Sequence, residues 1–428
     1  MNNAVKSCEI AEGVTLRFYN TEKFKTNLIS FYVHLPLRRE TVTAAALLPR
    51  ILKRGTEKYP TMTQLSKRAE ELYGASLSAG IGKKGDRELL RFSVQFVSDT
   101  FLDESITAQA VDLLREFVLC PKTADGAFDE EYVKQEKENA KSFILGLVND
   151  KKEYARVRCN EIMFEGDPYG IFEYGYIEDL DALDAKGLYE FYKKLFAEAE
   201  IDIFASGSFD TDKMKAELED AFSCLGGRRA EKIETHIAAP ESGADVKNIT
   251  EEMPVTQSKL SMGFRCGVEP TSEEYPALSL FSYIYGGSPF SKLFNNVRER
   301  LSLAYYVFSS VDRHKSCMKI NSGIESDKFR EAFDEIMAQL EKMKKGEFSD
   351  DEIESAKKYI ATGMGSRRDN LSATEDFYMN QIILGSGDTI DGILEKIGRV
   401  GRDEIIKAAN SVQLDTVYLL KGVGGSEV

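Results

Sequence analysis

The sequence is poor in histidine, the side chain on which most hydrolytic active sites depend. Its 428 residues include three histidines, His34, His236 and His314. No two of them share a helical turn, so neither the His-Glu-x-x-His motif of zinc peptidases nor its inverted form can be built. A serine or cysteine nucleophile would need one of the same histidines as its base, and no Gly-x-Ser-x-Gly turn is present. We therefore expect no catalytic residue, no metal site and no cofactor in this chain.

Cysteines and long apolar runs are also scarce. The six cysteines form no Cys-x-x-Cys pair, which predicts free thiols in a reducing compartment. No apolar run approaches the roughly 20 residues that a membrane span requires. The N-terminus lacks the apolar core of a signal peptide. Together these absences predict a cytoplasmic protein with no membrane partner.

Basic residues are outnumbered by acidic ones. The 56 Lys and Arg residues face 71 Asp and Glu residues, which gives a net charge of −15. Such a surface repels polyphosphates, so nucleic acids and anionic membranes are excluded as expected partners. The same balance suits basic or neutral peptides.

The order of predicted elements repeats in the two halves of the chain. Helical spacing from Phe128 recurs 220 residues later, from Phe348, and the strand-like run ending at Gly207 recurs 215 residues later, ending at Gly422. The patterns predict strands at Asn27–Leu37, Ile201–Gly207, Ser258–Val268 and Val417–Gly422. They predict helices at Phe128–Ile144 and Phe348–Ile360. We expect an α+β protein of two homologous domains, each a mainly antiparallel sheet packed with helices. The predicted domains are residues 1–233 and 247–428, joined by a linker at 234–246.

One corner of the second half carries two residues suited to gripping a peptide. The pattern predicts a helix ending at Arg298, a tight turn, and a strand that carries Tyr305. An arginine can hold a carboxylate or a peptide carbonyl with its fork of donors, and a phenol can donate to an oxyanion. Alternatively, both residues are structural, with Arg298 paired to Glu299 and Tyr305 half-buried in its strand.

Several ordered motifs resemble the insulinase/pitrilysin (M16) family of inverzincin metallopeptidases, in the short two-domain branch that includes the mitochondrial processing peptidases. The segment from Gly286-Gly287 through Arg298-Glu299 to Leu303-Ala304-Tyr305 follows the family pattern, with Ser302 in place of the usual glycine. Further matches occur at Lys53–Pro60, Asp167–Gly170 and Gly207–Asp210. The resemblance implies the fold shared by the mitochondrial processing peptidases and LuxS-type metallohydrolases.

The zinc site of that family is missing from this sequence. Counting back from Gly55, the positions of the two histidines and the general-base glutamate fall on Ala46, Arg50 and Pro49. The third zinc ligand, a glutamate on the helix after Glu136, falls at Ser142 or Phe143. The resemblance therefore implies a metal-free member whose N-terminal domain holds a degenerate zinc site.

In this family the arginine and tyrosine of the second domain contribute to substrate binding and to the oxyanion, and Arg298 and Tyr305 match those positions. Some members divide the work between two chains, so the resemblance implies a non-catalytic subunit that pairs with a zinc-bearing homologue on an extended peptide substrate. The alternative is a peptide-binding or scaffold protein that forms a homodimer without proteolysis. The pattern is most similar to metal-free bacterial members linked to modification of elongation factor P.

Overall fold

The computed structural model describes residues 5–226, 230–237 and 245–423. It is built from two mixed units of sheet and helix, and the predicted α+β class is confirmed. The six cysteines are free thiols, as predicted. No helix within the described ranges is both long and apolar enough to cross a membrane. Of the predicted linker 234–246, residues 238–244 lie outside the described residues.

The first half of the chain forms a six-stranded sheet in the order β1-β2-β8-β3-β5-β4, with a small β6-β7 hairpin beside it. Its strands are β1 Lys6–Ala11, β2 Val14–Asn20, β3 Thr26–Pro36, β4 Ser76–Lys84, β5 Arg87–Val97, β6 Thr123–Ala124, β7 Ala127–Phe128 and β8 Glu200–Gly207. Its helices are α1 Val42–Leu52, α2 Met62–Glu71, α3 Thr107–Leu119, α4 Glu130–Asn149, α5 Lys151–Met163, α6 Ile177–Leu180, α7 Ala185–Glu198 and α8 Thr211–Ala221.

The second half forms a five-stranded sheet in the order β11-β12-β10-β13-β9. Its strands are β9 Lys247–Met253, β10 Ser258–Arg265, β11 Ala304–Asp312, β12 Cys317–Ile324 and β13 Gln413–Gly422. Its helices are α9 Tyr275–Ser282, α10 Phe329–Lys344, α11 Asp350–Arg367, α12 Leu371–Ile383, α13 Ile390–Arg399 and α14 Arg402–Ser411, with π-helical segments at Tyr283–Gly287 and Phe294–Arg300.

The two sheets repeat one topology. In the first, β4, β5, β3 and β8 follow one another as antiparallel neighbours and β2 then runs parallel to β8. In the second, β11, β12, β10 and β13 do the same and β9 runs parallel to β13. Because both the order and the directions agree, the sheets support the duplication that the sequence predicts.

The strand β3, inside the first sheet, is buried on both of its faces. All but its two terminal residues are buried. Successive side chains point to opposite faces, so Ile29, Phe31 and Val33 enter the main hydrophobic cluster of the first unit. Alternate positions such as Ser30 face the other side, which is equally shielded from water. The sequence predicts this strand from the alternation of side chains along Asn27–Leu37.

The compact units are not continuous in the sequence. The first comprises residues 1–145, 171–234 and 370–379, and the second comprises 146–170, 235–369 and 380–428. Helix α5 thus belongs to the second unit, whereas the start of α12 belongs to the first. The predicted division into residues 1–233 and 247–428 assumed two continuous segments, so it did not place α5 in the second unit or the start of α12 in the first.

Candidate functional site

The positions where the resemblance places the lost zinc ligands line one cleft of the first unit, with a volume of about 430 Å³. Helix α1 and the turn after it, helix α4 and the edge strand β4 form its walls. Its lining residues are Ala46, Pro49, Arg50, Lys53, Arg54, Met62, Ala79, Gly80, Ile81, Glu136, Phe143 and Tyr174.

Side chains that can neither bind zinc nor act as a general base occupy the metal-site positions on α1. Ala46 is buried, and Pro49 is also buried, inside the helix. Arg50 is half-buried, and its guanidinium carbon lies 5.1 Å from the centre of the Phe143 ring. Phe143 lines the cleft while Ser142 does not, so the structure favours Phe143 as the third ligand position. Two positions that a metal would join are joined here by a cation–π contact.

Among the residues that the structure describes, Glu136 is the one carboxylate lining this cleft, and it is already hydrogen-bonded. It accepts a hydrogen bond from Arg54 Nε at 2.5 Å and another from Asn139 Nδ2 at 3.2 Å. Zinc sites in proteins are built from several His, Cys, Asp or Glu side chains. Within the described ranges, no three such side chains are placed to share a metal ion. The donor set of the cleft therefore does not fit the zinc ion that the family implies.

The predicted corner of the second unit forms as a helix, a turn and a strand. The π-helical segment Phe294–Arg300 carries Arg298 and ends two residues later than predicted. The turn is closed by a hydrogen bond from Leu303 N to the Val297 carbonyl at 2.9 Å. Ser302 has a φ of +50°, a left-handed conformation that favours glycine. This explains physically why a glycine suits the position.

Arg298 lies on the surface of this corner. Its side chain is 43% exposed, and its Nε lies 3.5 Å from Glu299 Oε1. The guanidinium carbon also lies 4.8 Å from the centre of the Phe294 ring. The contact with Glu299 is the one expected if Arg298 were structural. Between exposed groups such a pair contributes little, so it leaves the guanidinium able to take another partner.

A β-bulge turns Tyr305 outward. Strand β11 is an edge strand, and its register with β12 shifts between Ala304 and Tyr306, so Tyr305 is the extra residue. A bulge re-aims the side chain at which it occurs. Tyr305 is 58% exposed, and its hydroxyl donates to Glu325 Oε1 at 3.3 Å. The structural alternative predicted a half-buried Tyr305, whereas the side chain is exposed. A role in substrate binding for Arg298 and Tyr305 stays a prediction.

The sequence prediction missed strand β4, which borders the cleft. Its alternation of Leu77, Ala79 and Ile81 is a weak strand signal, because glycines and small residues fill the other positions. Added Cβ atoms at Gly80 and Gly82 would meet no atom within 4 Å, so the strand is open on that side. Glycine in a strand commonly marks a place where another backbone approaches.

Comparison with known proteins agrees with this geometry. The family described as "Peptidase M16 inactive domain" matches residues 182–360. The chain is 34% identical to the "Probable inactive metalloprotease YmfF" of Bacillus subtilis (strain 168) over 97% of both chains. It is 22% identical to the "Uncharacterized zinc protease YmxG" of the same organism over 67% of this chain and 69% of that protein.

Among solved structures, a conserved protein from Enterococcus faecalis V583 superimposes with a TM-score of 0.92 at 30% sequence identity, covering 99% of this chain and all of that one. The near full-length similarity, the matching family domain and the cleft without zinc ligands point the same way. This chain belongs to the M16 peptidase family, as a homologue of its inactive metalloproteases.

Proposed function

We propose that this chain is a non-catalytic M16 subunit that binds an extended peptide and lends Arg298 and Tyr305 to the active site of a zinc-bearing homologue. The observation that carries the proposal is an asymmetry between the two units. The ligand and general-base positions of the first unit hold Ala46, Pro49, Arg50 and Phe143, whereas a bulge presents Tyr305 to solvent in the second. A phenol and a guanidinium are the groups needed to hold a substrate carbonyl and its oxyanion.

The edge strand β4 supports the peptide-binding part of the proposal. An edge strand presents unpaired N–H and C=O groups that can pair with another extended chain. Three consecutive residues of β4, Ala79 to Ile81, line the cleft. Since successive side chains point to opposite faces, the cleft borders the edge of the strand and not one face of the sheet. A peptide added beside β4 would therefore run through the cleft.

Pairing with a zinc-bearing homologue is supported by the relatives. The organism that contains the inactive relative YmfF also contains YmxG, which is named as a zinc protease. This chain is similar to both, so a pair of one metal-free and one zinc-bearing homologue could form from chains of a single organism. The link to modification of elongation factor P stays a prediction of the resemblance.

Reconstitution tests the pairing. The chain, a zinc-bearing homologue from the same cell, and their mixture are each incubated with unstructured peptides, and cleavage is followed by mass spectrometry. The proposal expects cleavage by the mixture and a stable complex of the two chains in size-exclusion chromatography. A mixture that is no more active than the homologue alone, with no complex, would contradict it.

The alternative is a peptide-binding homodimer without proteolysis. The cleft is consistent with it, because holding a peptide there requires no metal ion. Affinity isolation from the native cell separates the two candidates. Recovery of a zinc-bearing homologue supports the mixed pair, and recovery of this chain alone as a dimer supports the scaffold.

A further inference from the structure

We propose that the cleft of the first unit selects peptides that carry an acidic side chain, which Arg50 and Lys53 bind as a carboxylate. This inference rests on the proposed peptide-binding function and adds its specificity. The cleft corresponds to the metal site of the family, but it is lined by the cationic side chains Arg50 and Lys53 in place of ligands for a divalent cation.

The charge of the cleft is opposite to that of the chain. Three cationic side chains, Arg50, Lys53 and Arg54, face one carboxylate, Glu136, in a protein of net charge −15. The ion pair between Arg54 and Glu136 neutralises one of the cations, and both of its members are largely shielded from water. Within the described residues, neither Arg50 nor Lys53 lies within ion-pair distance of a carboxylate. Two positive charges are therefore left uncompensated.

Arg50 is held in a way that suits it to bind a carboxylate. Its guanidinium lies over Phe143, at 5.1 Å from the ring centre. Stacking of this kind restricts the side chain, and the N–H groups at the rim of the guanidinium plane remain able to donate. An arginine can bind a carboxylate through two parallel hydrogen bonds, which makes the contact specific as well as strong. Lys53, which is exposed at the end of α1, adds a second charge at the same cleft.

The strand geometry favours a side-chain carboxylate over the C-terminus of a peptide. The cleft borders Ala79 to Ile81, in the middle of β4, and the strand continues from Ser76 to Lys84. A peptide paired with the whole of β4 would extend beyond the cleft in both directions. The group that reaches Arg50 would then belong to an internal residue, either Asp or Glu.

A simpler role for the two cations is to stabilise α1. Both lie at its C-terminal end, where positive charge interacts favourably with the helix dipole. That role acts on the stability of the helix and gives no preference among peptides. A binding measurement on folded variants therefore distinguishes it from the proposed site.

The test measures fluorescence anisotropy of labelled extended peptides with the full chain. One neutral host peptide is made with a single Glu, Gln or Lys at the same internal position, and a fourth peptide carries its only carboxylate at the C-terminus. For the wild type we expect the Glu peptide to bind about tenfold more tightly than the Gln peptide, as for a hydrogen bond to a charged group. The Lys peptide should bind more weakly than both.

In the variant Arg50→Met with Lys53→Gln, the Glu and Gln peptides should bind equally, because methionine keeps the apolar contact with Phe143 and removes the charge. The control is Arg330→Gln with Lys194→Gln, two exposed positions outside the cleft that change the net charge equally. Circular dichroism establishes that each variant is folded. If the double variant is not folded, the single variant Lys53→Gln should bind the Glu peptide more weakly than the wild type and the Gln peptide with unchanged affinity.

The outcomes separate the two proposals. Peptides that bind without any preference for Glu, or a preference that survives in the double variant, overturn this inference and leave peptide binding intact. Tighter binding of the peptide with a C-terminal carboxylate overturns the assignment to a side chain. If no peptide binds in any form, the proposed function fails as well.

Discussion

At the level of single residues, two backbone features shape the corner that carries Arg298 and Tyr305. The left-handed conformation of Ser302 closes the turn, and the bulge between Ala304 and Tyr306 exposes the tyrosine. The sequence predicted the helix, the turn and the strand, because the polar turn and the apolar strand are local patterns. It could not predict the bulge, because the register of β11 is set by its partner β12.

Replacement of Tyr305 by Phe tests its chemical role in the reconstituted pair. We expect kcat for peptide cleavage to fall on the order of 10²–10³-fold, because one oxyanion donor is removed. The matched control is Tyr73→Phe, since Tyr73 is similarly exposed and also donates to a glutamate, Glu104. An unchanged kcat for Tyr305→Phe would remove the hydroxyl from the mechanism.

Replacement of Ser302 by Gly should stabilise the chain by about 0.5–1 kcal/mol. A non-glycine residue in the left-handed region costs roughly 1–2 kcal/mol, and the extra flexibility of unfolded glycine offsets part of the gain. Urea denaturation measures the free energy of unfolding. Ser366→Gly, in the exposed last turns of α11, should change stability in the opposite sense. Destabilisation by Ser302→Gly would mean that the turn does not strain serine.

Glu88 predicts a pH dependence of stability. It is fully buried in β5, and neither carboxylate oxygen has a hydrogen-bond partner within the described residues. Burial raises the pKa of Glu88 well above its ordinary value, Glu173 raises it further, and Lys83 opposes them. A raised pKa means that the folded state favours the protonated form of Glu88. The stability gained from this preference is fully present below the pKa of unfolded glutamate, near 4.3, and is lost as pH rises through the folded pKa.

The variant Glu88→Gln cannot titrate at this position. Its stability relative to the wild type should therefore increase as pH is raised from about 4, the ordinary pKa of glutamate. Thermal melts across this pH range measure the difference. Glu70→Gln, at an exposed position of α2, should follow the wild-type profile. If the difference between Glu88→Gln and the wild type did not change with pH, the buried carboxyl would not be linked to folding.

At the level of secondary structure, α1 shows most clearly what replaced the metal site. Pro49 lies inside the helix at the general-base position, where it removes one backbone hydrogen bond and crowds the preceding turn. The family resemblance identified this position from the sequence, because the motif spacing from Gly55 is local. The contact between Arg50 and Phe143 was not predictable, since it joins α1 to α4 across the fold.

Pro49→Ala should raise the free energy of unfolding by about 1–2 kcal/mol, because the cost of an interior proline, roughly 3 kcal/mol, is partly offset by the lost packing of its ring. Pro276→Ala is the control. That proline is also buried but lies in the first turn of α9, where its missing N–H removes no helical bond, so the substitution should bring no gain. Equal effects of the two variants would contradict this explanation.

At the level of the whole molecule, the repeated topology of the two sheets was predictable and the exchange between the units was not. The duplication is visible in sequence because a helix and a strand of the first half recur in the second half, at offsets of 220 and 215 residues. The assignment of α5 to the second unit and of the start of α12 to the first depends on contacts between residues far apart in the chain. Periodicity along the sequence contains no information about such contacts, so the predicted boundary followed the chain.

The central proposal is that the cleft which corresponds to the zinc site of M16 peptidases binds a peptide in this chain and does not cut it. Incubating the purified chain alone with an excess of zinc and a labelled extended peptide, followed by native mass spectrometry, tests this claim most directly. We expect the chain to carry intact peptide and no stoichiometric zinc. Stoichiometric zinc together with cleaved peptide, both abolished by a chelator, would contradict the claim.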